Sequence, residues 1–130
     1  MPADDDRAAN IAALECVRQF VQAEHRRDFL RYRARLHDEI VVRSGDAVIV
    51  RGADEAALAA AREWALAPAS KPVVEDIGVA SGMVTLSYRV TAGVVPGGHG
   101  PPHDLAGHSV FEVQDDKVIR IWHHLRVVDV

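Results

Sequence analysis

The chain has 130 residues, of which 48% are apolar and 26% charged, and a formal charge of −4. This is the size and composition of one globular domain with its own core, which excludes a wholly disordered chain. The acidic balance excludes the phosphate-neutralising surface that nucleic-acid binding requires.

Met-Pro-Ala-Asp-Asp-Asp-Arg opens the chain without an apolar stretch behind a positive charge, so no secretory signal is expected. Asp4, Asp5 and Asp6 offer caps and negative charge at a helix start. Ile11, Leu14, Val17 and Val21, flanked by Ala13, Cys16 and Phe20, then recur at helical spacing and predict an amphipathic helix from about Asp6 to His25. Cys16 is the single cysteine; it allows no internal disulfide and fits a reducing compartment, read here as the cytoplasm. Inside that apolar pattern its thiol reads as inert packing. Asp28 caps a shorter second helix carrying Phe29, Tyr32 and Leu36.

The period then changes to two. Residues 39–43 and 47–51 read as a hairpin around Ser44-Gly45-Asp46. Asp54 caps a third, alanine-rich helix ending near Leu66, with Leu58, Ala61, Trp64 and Ala65 on one side. Pro68 and Pro72 bracket the connection beyond it. Four strands follow, at 73–80, 83–92, 105–114 and 117–128. The order ααββαββββ describes one α+β domain over residues 1–130. The Gly/Pro-rich stretch 95–103 reads as a flap over a pocket, with a plain solvated connection as the alternative. No apolar run approaches the ~18 residues of a membrane span.

Two segments carry a resemblance: Val50-Arg51-Gly52 before the third helix, and the run from Ser109 to Trp122. Together with the element order they resemble the nuclear transport factor two-like superfamily, in its SnoaL-like, polyketide-cyclase-type branch. Asp116 stands where that branch often has a turn glycine, and Ile121 where it often has a histidine before Trp122. The resemblance implies a cone: a curved antiparallel sheet wrapped around helices as an α+β roll, as in cystatin-like folds, with a pocket inside. It also implies homodimers paired through the outer sheet face. Activities in the superfamily include cyclases, isomerases, dehydratases and epoxide hydrolases beside non-catalytic binding modules, so the fold does not choose among them.

Alignment to the steroid-isomerase relatives puts Phe20 at their helix tyrosine, Arg43 at their carboxylate base and Ser109 at their strand acid. A phenyl ring donates no hydrogen bond and an arginine abstracts no proton, so that chemistry is rejected. The same registers point Val41, Arg43, Thr85, Ser87, Arg89, Ser109, Phe111, Ile121 and His123 inward. They point Val84, Leu86, Tyr88, Val90, Val110, Trp122 and His124 outward, an apolar patch that itself suggests a dimer face.

His123 is then the expected acid/base, Arg43 the holder of developing negative charge and Ser109 its assistant. Phe20, Tyr32, Thr85, Ser87, Arg89, Phe111 and Ile121 are the expected ligand contacts. Trp64 and Trp122 could stack on a flat ligand, although core or interface packing suits their periodic positions better. The expected ligand is a small apolar or aromatic molecule bearing oxygen, and proton transfer within it needs no cofactor. His99, His103 and His108 with Asp104 invite a metal reading, but the first two sit in a loop that fixes no spacing, so no metal site is assigned. A binding or sensing protein with the same pocket is the alternative to an enzyme, and a dimer whose cone is filled by side chains is a third.

Overall fold

A computed structural model describes residues 2–95 and 100–128, with side chains from Arg7 onward. The expected caps Asp4, Asp5 and Asp6, and His99 of the expected metal cluster and flap, fall outside the described side chains. The elements follow the expected order: helices α1 (Pro2–His25), α2 (Phe29–Ala34) and α3 (Ala53–Leu66), and strands β1 (Leu36–Ser44), β2 (Ala47–Arg51), β3 (Lys71–Ala80), β4 (Met83–Gly93), β5 (His103–Gln114) and β6 (Lys117–Val127).

Helix α1 buries Ala13, Cys16, Val17, Phe20 and Ala23, a stripe at three- and four-residue steps. Ile11 lies outside that stripe and is exposed. Asp28 caps α2 as expected, its side chain accepting from the Arg31 backbone N–H. Leu36 belongs to β1 rather than to α2. Helix α3 differs from expectation. Its N-cap is Gly52 at φ 88°, without a side-chain cap, and Asp54 instead sits in the first turn and binds Arg33. The buried face is Ala53, Ala56, Ala57 and Ala60, while Leu58 is exposed. The buried face is thus made of small residues, and Leu58 lies off it.

The sheet is open, with strand order β2-β1-β6-β5-β4-β3. Pairing is antiparallel except between β1 and β6, which run parallel. The expectation of an antiparallel sheet is corrected there, because a long crossover and no hairpin joins those two strands. Every ladder contains a register shift, and each such irregularity bends the strands locally. The tight turns at Ser81-Gly82 and Asp115-Asp116 place all four residues at positive φ, which suits the twist of a two-residue hairpin.

The inner sheet face carries Val84 and Leu86 on β4, Leu105, Ser109 and Phe111 on β5, and Val118 and Ile121 on β6, all buried. On β4 the expected parity is reversed. Val84 and Leu86 are core, and Tyr88 and Val90 face the interior, so Thr85, Ser87 and Arg89 occupy the outer face. The apolar patch offered for a dimer therefore loses its four β4 members, leaving Val110, Trp122 and His124. No helix among the described residues is long and apolar enough to cross a membrane.

Candidate functional site

Between the helices and the inner sheet face lies a cavity of about 170 Å³. Aromatic rings form much of its wall. Phe20 of α1 packs on Tyr32 of α2 with ring centroids 4.7 Å apart, and meets Phe111 of β5 edge-on at 5.6 Å. Trp64 of α3 closes on Tyr32 at 5.5 Å. Spacing of this order favours tilted and edge-to-face packing, so the rings hold one another in place.

Three polar side chains interrupt this apolar surface on the sheet side. Ser109 is fully buried, and its Oγ lies 2.7 Å from the Tyr88 hydroxyl and 2.7 Å from His123 Nδ1. The arrangement follows from register. Ser109 sits opposite His123 across the β5–β6 ladder, and Tyr88 sits opposite Gly107 across β4–β5. A Cβ on Gly107 would stand 2.5 Å from the Tyr88 ring, so only glycine there lets the ring lie over the strand toward Ser109.

Burial, with a smaller contribution from neighbouring His124, lowers the His123 pKa to about 4, so its imidazole is neutral at neutral pH. Burial also pushes the Tyr88 hydroxyl up to about 12, against the opposing pull of its Ser109 hydrogen bond. A neutral chain Tyr88–Ser109–His123 has two polarities. In one, the imidazole donates through Nδ1 and the tyrosine keeps its proton for a ligand. In the other, Tyr88 donates to Ser109 and the imidazole carries its proton on Nε2. Either way one end offers a donor and the other an acceptor, and both end residues line the cavity.

The helical wall carries Glu24, one turn beyond Phe20 on the same face of α1. Its carboxyl is half-buried and, among the described residues, has no hydrogen bond or ion pair. Burial alone raises its pKa to about 7. Its charge, with that of Glu63 on α3, adds to the burial that raises both Tyr32 and Tyr88. Arg27 also lines the cavity, but its guanidinium donates to the carbonyls of Trp64 (3.3 Å), Ala67 (3.0 Å) and Ser70 (3.3 Å), tying the end of α1 to the end of α3.

Of the expected site residues, the cavity gathers Phe20, Tyr32, Ser109, Phe111, Ile121 and His123. Arg43, Thr85, Ser87 and Arg89 do not line it. On β1 the buried positions are Leu36, Ile40 and Val42, so Val41 and Arg43 fall on the other side of the strand. Arg89 is exposed and pairs with Glu75 at 3.4 Å on the outer face. Ser87 reaches His108 there instead. Thr85, Ser87 and Arg89 lose the cavity for one reason: on a half-buried strand the apolar alternate set goes inside.

Among the lining residues that escaped the sequence reading are Tyr88, Glu24 and Glu63. Strict alternation on β4 signalled the first, and the helical spacing from Phe20 signalled the second. Trp64, read as packing, both packs on Tyr32 and lines the cavity. Among the described residues, no three His, Cys, Asp or Glu side chains group as metal ligands would.

The model of the SnoaL-like domain family matches residues 17–121. No curated protein matches the chain in sequence. Solved structures share its fold. An uncharacterized cystatin-fold protein from Novosphingobium aromaticivorans superposes with a TM-score of 0.75, at 19% identity over 85% of this chain and 96% of that one. An LEH-like epoxide hydrolase of M. tuberculosis gives 0.71, at 20% identity over 90% and 84%. A proposed SnoaL-like polyketide cyclase from Jannaschia sp. CCS1 gives 0.73, at 19% identity over 89% and 86%.

Proposed function

The chain belongs to the SnoaL-like domain family, and from that premise we propose that its cavity binds a small, mostly apolar, oxygenated molecule and moves a proton within it. Cyclisation, isomerisation and dehydration all require such a step. That structures of the same fold include a polyketide cyclase and an epoxide hydrolase supports a reading in terms of small-molecule chemistry. One observation carries the reading: an apolar cavity holds a carboxyl without a partner on one wall and a chain of neutral hydrogen-bonding groups on the other.

Glu24 takes the part of the base, because a base works best when its pKa lies near the operating pH. Its carboxylate removes a proton from the carbon beside a ligand carbonyl and becomes a carboxylic acid. The C–H electron pair becomes an enolate, whose oxygen accepts a hydrogen bond from the donor end of the Tyr88–Ser109–His123 chain. The carboxylic acid then returns the proton to another atom of the same ligand, which restores Glu24. His123 is a neutral hydrogen-bonding partner in this reading rather than the base. Arg43 has no part, since it does not line the cavity.

Proton removal can be followed without knowing the product. Cyclohexanone incubated with the protein in deuterated buffer is expected to exchange its α-protons faster than in buffer alone, read by proton NMR. Glu24→Gln is expected to lower the enzymatic rate by about 10²–10⁴-fold. No acceleration with any neutral ring ketone, or an unchanged rate in Glu24→Gln, sinks the proposal. A second reading, non-catalytic binding, draws on the mutual satisfaction of the sheet-side polar groups Tyr88, Ser109 and His123. It wins if a ligand raises the melting temperature and its protons stay in place.

A further inference from the structure

Size and charge narrow the ligand further. A cavity of roughly 150 Å³ lined by aliphatic and aromatic side chains holds one benzene ring. The present cavity is about 170 Å³ and similarly walled, so its volume matches one ring with a short substituent. The charges on its wall are unbalanced as well. Glu24 has no partner for its carboxyl among the described residues. The Arg27 guanidinium is committed to three backbone carbonyls. His123 is hydrogen-bonded to Ser109 through Nδ1 and is neutral at neutral pH. An anion entering here would shed its water beside a like charge and find no uncommitted guanidinium. The donor-and-acceptor chain on the sheet wall, by contrast, suits an uncharged oxygen.

We propose that the cavity accepts an uncharged ligand of about one ring and that Glu24 is the residue that excludes anions from it. This rests on reading the cavity as a small-molecule site. Ionisable and charged groups share the cavity wall with Glu24: His25 at the end of α1, Arg27 in the turn beyond it, Tyr32 of α2, Glu63 of α3, Tyr88 of β4 and His123 of β6. A pH effect on binding is therefore assigned to Glu24 only if it vanishes when Glu24 alone is changed.

The test uses the whole chain and four probes in isothermal titration calorimetry: benzyl alcohol, benzoate and benzylamine, alike in size and different in charge, and the two-ring 2-naphthol. At about pH 8, benzyl alcohol is expected to bind at least about tenfold more tightly than benzoate. Near pH 5.5 benzoate is still ionised, but Glu24 is mostly protonated, so the gap is expected to shrink. In Glu24→Gln the gap is expected to close at both pH values. 2-Naphthol is expected to bind at least about tenfold more weakly than benzyl alcohol.

Benzoate matching benzyl alcohol at the higher pH overturns the proposal, and so does a gap that persists in Glu24→Gln. Benzylamine binding more tightly than benzyl alcohol makes this a cation site and overturns it too. Equal binding of 2-naphthol removes the size limit. If benzyl alcohol itself does not bind, the small-molecule reading of the cavity fails, a result distinct from charge-blind binding. Should Glu24→Gln not fold, Glu24→Ala supplies the same single-residue comparison, and a gap that persists in it at both pH values overturns the proposal.

Discussion

The two walls of the cavity treat polar groups removed from water in opposite ways. On the sheet side Tyr88, Ser109 and His123 satisfy one another at 2.7 Å, and all three stay neutral at neutral pH. On the helical side Glu24 has nothing to bind among the described residues, and its carboxyl is held between its two protonation states. A satisfied chain holds geometry, whereas an unsatisfied acid keeps free energy available for a ligand. Polar groups on one cavity can therefore divide the work, with the sheet fixing positions and the helix supplying the titratable proton.

The largest effect on stability is expected from the centre of the sheet-side chain. Ser109→Ala removes both hydrogen bonds and leaves the Tyr88 hydroxyl and His123 Nδ1 without their partner. Stranding these two half-buried groups is expected to cost up to about 2–4 kcal/mol. Tyr88→Phe removes one bond at an end of the chain and is expected to cost about 1 kcal/mol. Urea unfolding at unchanged slope reads both. Equal costs for the two variants would mean that Ser109 does not bridge them.

The helical wall is expected to behave in the opposite sense, with Glu24→Gln gaining stability. The raised carboxyl favours its protonated form in the folded state. Stability from this group is complete below about pH 4.5, falls as pH rises and is lost above about 7. His123 works in reverse: lowered from 6.5 to about 4, it makes stability rise with pH across that interval. In the native chain the two slopes oppose each other between about pH 4.5 and 6.5. Glu24→Gln is expected to leave the rising slope alone and to exceed the native stability above pH 7 by at most about 3 kcal/mol. Near pH 4 the two proteins are expected to coincide. A Glu24→Gln variant no more stable than the native chain above pH 7 would place that carboxyl in water and erase the contrast between the walls.

The contrast was only half legible in the sequence. Period and turn chemistry gave the element order, and counting back from the Asp115-Asp116 turn placed Ser109, Phe111, Ile121 and His123 on the cavity side, where they lie. On β4 the residues themselves alternate, with Val84, Leu86, Tyr88 and Val90 against Thr85, Ser87 and Arg89. An anchor taken from steroid-isomerase relatives overrode that alternation and turned the strand inside out. On β1 the run Ile40-Val41-Val42 is apolar on both faces, so alternation is silent there, and burial of Ile40 and Val42 decides it. Glu24 was hidden for another reason. A glutamate near a helix end reads as solvent-facing by composition, and only its position one turn beyond Phe20 puts it against the cavity.

The smallest expected effect checks the boundary between inside and outside. Arg43 stands beside Val42 on β1, one step from the cavity wall, yet it does not line the cavity. Arg89 is exposed and, among the described residues, pairs with Glu75 at 3.4 Å. An exposed pair of this kind contributes little, and a surface arginine away from a packed contact changes stability by less than about 0.5 kcal/mol when truncated. Arg43→Ala and Arg89→Ala are therefore expected to leave both the unfolding midpoint and the deuterium exchange of cyclohexanone unchanged. Loss of exchange in Arg43→Ala, with the fold intact by circular dichroism, would mean that a cation of β1 reaches the ligand. The anion exclusion assigned to Glu24 would then fail, because an uncommitted guanidinium at the cavity is what an anionic ligand would seek.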